Sequence, residues 1–311
     1  MQKKVFKATN QVGGALIGLI VLVIVFSILS PSFFTAYNVI NIARQSSINL
    51  MLAVGMTFII LTGGIDLSVG GVEALVGTLV AGCLMDEIPL AAALIIGLLI
   101  GLVAGAFNGL CVAYAKIPAF ITTMATVSIA RSIALIYTGG YPISGMPQSF
   151  TFIGTGAVGF IPVPVIIAVV VIAAGFIILK KTVLGLYIYA IGGNEEATSM
   201  SGIDVKKWKL LVYAIHGIFT AIAGIVLAAR MNSGQPSAAD GVELDIIAAV
   251  VIGGTSLSGG EGGLLGTIMG ALLITVLNNG LTLLNVNSYI QGLILGFVIL
   301  GAVFLDSRKT K

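Results

Sequence analysis

Residues 61 to 71 read LTGGIDLSVGG and place one carboxylate, Asp66, between glycine pairs, with a long apolar run on either side. A carboxylate in that setting has two uses. With Ser68 it can accept hydrogen bonds from the free amides that open a following helix. Alternatively it lines a hydrated solute path, because an ionised acid near mid-bilayer costs about 2.5–3.5 kcal/mol unless amides, a cation or water meet it. Glu73, seven residues on, falls on nearly the same helical face two turns along, where it would look into an aqueous vestibule. Thr122, Thr123 and Thr126 cluster on one arc of a helix, and Asn278 and Asn279 sit in another. Such groups either touch a solute's hydroxyls or bond neighbouring helices. His216 stands without an acid near it in sequence, the pattern of a packed or interfacial histidine rather than a proton relay.

Other chemistries lack their residues. Cys83 and Cys111 have no CxxC spacing and no neighbouring His, so no metal site is expected. No HExxH or GxSxG motif is present, which argues against an intramembrane enzyme. Residues 257 to 261, LSGGE, imitate the nucleotide-contacting signature of ABC ATPases. The chain has no GxxxxGK phosphate loop for such a signature to complete, so the segment reads as a Gly-rich corner before a membrane helix.

The elements that must position these residues are membrane helices. The chain of 311 residues is 58% hydrophobic and 9% charged, far below the ~25% charged of soluble domains. Several uncharged stretches exceed the ~20 residues that span a bilayer. Ten spans are expected, near residues 13–30, 46–62, 69–85, 88–113, 118–137, 163–179, 210–229, 244–258, 263–283 and 288–305. An N-terminus in the cytoplasm then puts 12 of the 15 basic residues inside, among them Lys3, Lys4, Lys7, Lys116, Arg308, Lys309 and Lys311, as the positive-inside rule requires. Both termini are thus expected to be cytoplasmic, and the first apolar stretch is an uncleaved helix rather than a signal peptide. The basic residues are scattered at span ends, so nucleic acid is not a partner.

Gly97, Gly101, Gly105 and Gly109 form consecutive GxxxG steps, and Gly262, Gly266 and Gly270 form two more, strips along which another backbone can approach closely. The corner at 61–71 and the corner at 252–263 share a grammar and fall on the same side of the membrane in this topology. They are one local device used twice, not an inverted repeat. The outer connection, 138–164, is uncharged and rich in Gly and Pro, and is expected to be irregular or re-entrant. The inner one, 180–209, is the most polar segment. Within it Asn194 as N-cap, Glu195 and Glu196 in the first turn and Gly202 as a stop predict a short helix over 195–201, too short to persist without a partner surface.

GGNEEATSMSGIDVKKWK, LTGGIDLSVGG and IGGTSLSGGEGGLLGTIMGALLITVLNNGLTLL, in that family's order, resemble the membrane permeases of ABC-type monosaccharide importers, those for ribose most closely. The resemblance spans nearly the whole chain. It implies an all-α, type II-like permease forming a single transmembrane domain, residues 1–311, in the bacterial cytoplasmic (inner) membrane. It implies that Gly193, Asn194, Glu195, Ala197, Ser201 and Gly202 belong to a coupling segment seated in a cleft of an ATPase subunit. ATP and Mg would be bound by that partner, with no cofactor in this chain. The other implied partners are an extracytoplasmic sugar-binding protein, a second permease copy and the lipid bilayer. An uncharged residue is implied at position 73, so Glu73 is a departure.

With one tryptophan, Trp208, in the inner loop and 7% aromatics, the membrane part is poorly equipped to grip a sugar, as suits a low-affinity passage. Galactose, xylose, arabinose or a sugar-like signal remain alternatives to ribose. An ion-coupled secondary transporter is the rival mechanism; it predicts uptake by this chain alone.

Overall fold

The computed structural model describes residues 2–309, with side chains described for 13–301, 303 and 304. The terminal basic residues Lys3, Lys4, Lys7, Arg308, Lys309 and Lys311, on which the expected orientation partly rests, lie outside those whose side chains are described.

The chain is mostly helical: α1 (Gln2–Leu29), α2 (Ala36–Leu61), α3 (Val69–Met85), α4 (Leu90–Ala113), α5 (Ala119–Thr138), α6 (Gln148–Thr155), α7 (Val163–Lys181), α8 (Val183–Gly193), α9 (Glu195–Met200), α10 (Val205–Met231), α11 (Val242–Ile252), α12 (Leu264–Leu283) and α13 (Ser288–Lys309). Among the described residues, α2, α4, α5, α7, α10 and α12 are long and apolar enough to cross a membrane, and four shorter apolar helices accompany them. Every expected span coincides with a helix, but α11 is a correction. It has 11 residues, about 16 Å, where a crossing needs ~30 Å, because Gly253 and Gly254 (φ 93°) unwind the chain before the expected end.

α2 and α10 form the centre. From Ser46 to Leu61 every residue of α2 is buried, against α7, α10, α11 and α12. Three buried polar pairs fasten α2 to α12: Asn38 with Asn279, Asn49 with Thr275 (3.0 Å) and Thr57 with Thr267 (2.8 Å). In hydrocarbon such pairs hold helices where the hydrophobic effect does not. α4 turns Gly97, Gly101, Gly105 and Gly109 onto α10, and its opposite face, with Ile95, Leu99, Val103 and Phe107, is exposed. A Cβ at Gly109 would lie 2.8 Å from the Leu210 Cα, so the approach depends on glycine. Gly266 and Gly270 likewise set α12 on the α11 backbone; Gly262 (φ 137°) lies in the preceding corner instead.

The outer connection is more ordered than its composition predicts. It contains α6, anchored by the fully buried Phe150 against α10, and two-residue ladders: β1 (Ile143–Ser144) pairs antiparallel with β4 (Ser233–Gly234), and β2 (Ala157–Val158) with β3 (Ile161–Pro162). The inner connection holds a second surprise, the apolar helix α8, which hydropathy dilutes among flanking charges.

Candidate functional site

The expected short helix is present as α9. The Asn194 side chain accepts a hydrogen bond from the Ala197 amide (2.8 Å), Glu195 and Glu196 occupy the first turn, and Gly202 (φ 83°) ends it in the left-handed conformation that glycine takes without strain. Thr198, the one buried residue of the turn, donates to the Ala190 carbonyl (2.9 Å), and Lys209 pairs with Glu195 (2.5 Å). Gly193, Asn194, Glu195, Ala197, Ser201 and Gly202 are all exposed, so the set presents a continuous outward surface, with Met200 protruding beside it at 84% exposure.

The base of this stub rests on both glycine corners. The carbonyl of Leu61, which ends α2, accepts the Gly260 amide (2.9 Å), and Gly192 of α8 lies against both groups with no room for a Cβ. Gly259 stands over the Gly63 amide, and the Tyr189 hydroxyl donates to the Gly262 carbonyl (3.0 Å). The two corners therefore meet on one side, as the sequence predicts, and α8 is inserted between them.

Beyond the first corner runs a buried polar chain. One oxygen of Asp66 accepts from the Ser68 amide (2.7 Å) and hydroxyl (2.6 Å); Asn108 of α4 donates to the Ser68 hydroxyl (2.9 Å), and Thr126 of α5 donates to the Asn108 side chain (2.6 Å). The other Asp66 oxygen lies 3.7 Å from Nε2 of His216 on α10, whose ring packs on Gly55 of α2. These five residues are at most 5% exposed. Neither side chain caps the first amides of α3, a correction to the expectation: Asp66 accepts from the Ser68 amide, one residue before the helix, and the Ser68 hydroxyl is turned to Asp66. His216 is packed, as expected, but has an acid that its sequence neighbourhood does not reveal.

The remaining candidates disperse. Asn279 exchanges two hydrogen bonds with Asn38 (2.9 and 3.0 Å), Asn278 donates to Asp245 (3.0 Å), and Thr123 bonds its own helix. Thr122 is buried with no hydroxyl partner among the described residues. Glu73 does not share a helix with Asp66, which precedes α3, and it is 1% exposed rather than open to a vestibule; neither of its oxygens has a partner among the described residues. Sequence reasoning missed Asn108, whose signal was a lone amide beside the glycine strip of an otherwise apolar helix.

A family model described as branched-chain amino acid transport system / permease component matches residues 38–303. Among curated proteins, the chain is 48% identical over 295 residues to the ribose import permease protein RbsC of Haemophilus influenzae, covering 94% of this chain and 91% of the relative. It is 47% identical over 312 residues to RbsC of Bacillus subtilis, covering 99% and 97%. The xylose transport system permease protein XylH of H. influenzae is 34% identical over 369 residues, 98% of each chain. No solved structure is a significant match.

Proposed function

The chain belongs to the family of permease components of branched-chain amino acid transport systems, and on that premise we propose that it is the membrane permease of an ABC importer for a monosaccharide, ribose before xylose. It is a multi-pass protein of the bacterial inner membrane. The observation that carries the reading is the 46–48% identity to ribose import permeases over nearly their full lengths, against 34–35% for xylose permeases.

The finer reading keeps ten passages with both termini cytoplasmic, the eighth completed by the unwound chain on either side of α11. Two permease copies form the path. The exposed face of α9, within the loop 180–209, docks in an ATPase subunit that binds ATP and Mg. ATP-driven closure pushes the stub against the glycine corners, and α2 and the α11–α12 corner tilt, which exchanges inward-open for outward-open states and admits sugar from a binding protein. Asp66, Ser68, Thr126 and Asn279 brace helices in this scheme. Glu73 and Thr122, buried without side-chain partners among the described residues, are candidates to meet the path.

Vesicles containing this chain, the ATPase and the binding protein test the reading. Ribose accumulation is expected only with all three and ATP; uptake by the chain alone under a proton or sodium gradient refutes it.

A further inference from the structure

Three arginines stand inside or at the outer ends of helices, and they are not alike. Arg131 of α5 donates to the carbonyls of Pro236 (3.0 Å) and Ala238 (2.7 Å) and pairs with Asp240 at 3.5 Å. Arg44 of α2 and Arg230 of α10 have no carboxylate within ion-pair distance among the described residues. Arg44 donates through Nη2 to the Thr155 carbonyl (2.6 Å), and its buried Nε has no partner among the described residues. Arg230 donates through Nη2 to the Asn41 side chain (2.8 Å). A guanidinium has five N–H donors, so among the described residues each has donors beyond the one bond named here.

The two side chains converge. Asn41 and Arg44 lie one turn apart on the same face of α2. The end of α6 closes the third side, with Thr155 on Arg44 and Gly154 packed against the Arg230 backbone. Two like charges on a lipid face would be costly, so this pair faces water or a partner. It lies toward the start of α2 and the end of α10, with Arg44 about 26 Å along α2 from the Leu61 corner, which in the orientation proposed above is the side where solute arrives.

Resting on the monosaccharide reading above, we propose that Arg44 and Arg230, with Asn41, form the outer sugar contact of the permease, donating hydrogen bonds to the hydroxyl oxygens of the entering solute. A neutral polyol supplies several acceptors at close spacing and brings no charge that would trap it. Where aromatic faces are scarce, directed N–H donors are the remaining means of orienting a sugar.

The test uses the whole importer in vesicles, with radiolabelled ribose presented at saturating, fully loaded binding protein. R44Q and R230Q are each expected to lower ribose entry about tenfold, the effect of losing one charge-assisted hydrogen bond. Binding-protein affinity and stimulated ATP hydrolysis are expected to stay at the wild-type level. R44K and R230K keep the charge without the planar fork, and are expected to fall between and to change the ratio of ribose to xylose entry. Wild-type entry and ratio in all four variants overturn the proposal. So does a weakened binding-protein affinity, which would assign the guanidiniums to an acidic patch of the delivering protein. If the glutamine variants do not assemble, the lysine variants decide alone, by rate and ratio. A wild-type importer that, with its ATPase, binding protein and ATP, moves none of ribose, xylose, galactose and arabinose refutes the monosaccharide reading itself, independently of any variant.

Discussion

Replacing Gly192 by alanine adds a single methyl group at the junction of α2, α8 and the α11–α12 corner. The added carbon would overlap the Leu61 carbonyl, stand 2.9 Å from the Leu61 carbonyl carbon and 2.5 Å from the Gly260 nitrogen, and all three are backbone atoms that cannot rotate away. Either α8 withdraws or the bond from Gly260 to Leu61 opens. Loss of that bond costs about 0.5–1.5 kcal/mol, and overpacking adds about 1–3 kcal/mol. Gly263, in the same corner, is the comparison: a Cβ there meets only the Tyr189 hydroxyl at 3.6 Å, an ordinary contact. In the assembled importer, G192A is expected to lower the apparent unfolding temperature and to abolish most ATP-driven ribose import while basal ATP hydrolysis persists, whereas G263A is expected to leave all three near wild type. Wild-type import by G192A would refute the idea that the stub acts through this junction.

Three further outcomes are expected. Asn194→Ala removes the cap of α9 at a cost of about 0.5–2 kcal/mol, and weaker co-purification of the ATPase with the permease measures it. Asn38→Leu strands the Asn279 amide at about 1–3 kcal/mol, and the N38L/N279L double variant is expected to be more stable than the sum of the single losses, as a thermal double-mutant cycle reports. Asp66→Ala, which removes the acceptor of two buried hydrogen bonds, is expected to destabilise the folded permease more than Asp66→Asn, which keeps an acceptor in place, with thermal unfolding as the readout.

The helices were legible because hydropathy and glycine spacing are local. The strip Gly97, Gly101, Gly105 and Gly109 announced a backbone contact, and the caps at Asn194 and Gly202 announced α9. Helix limits were less legible, because hydropathy measures immersion and not helicity. α2 begins at Ala36, ten residues before the expected start, and carries Arg44 within it; α10 begins among Lys206, Lys207 and Lys209. α8 escaped notice because its apolar residues lie in the most polar segment. The site's internal bonds were hidden for a different reason. Asp66 meets His216 across 150 positions, and Asn38 meets Asn279 across 241, distances at which a sequence carries no periodic signal.

The glycines of α4 have a mechanical corollary. At Gly101, Gly105 and Gly109 its backbone lies directly on that of α10, so the two are interlocked, and a shifted register becomes available again only after a whole turn, about 5.4 Å. α4 and α10 therefore travel as one plank. Whatever rocking the transport cycle demands is confined to seams that side chains fill, such as that between α2 and α7, where rotamers can yield by fractions of an ångström.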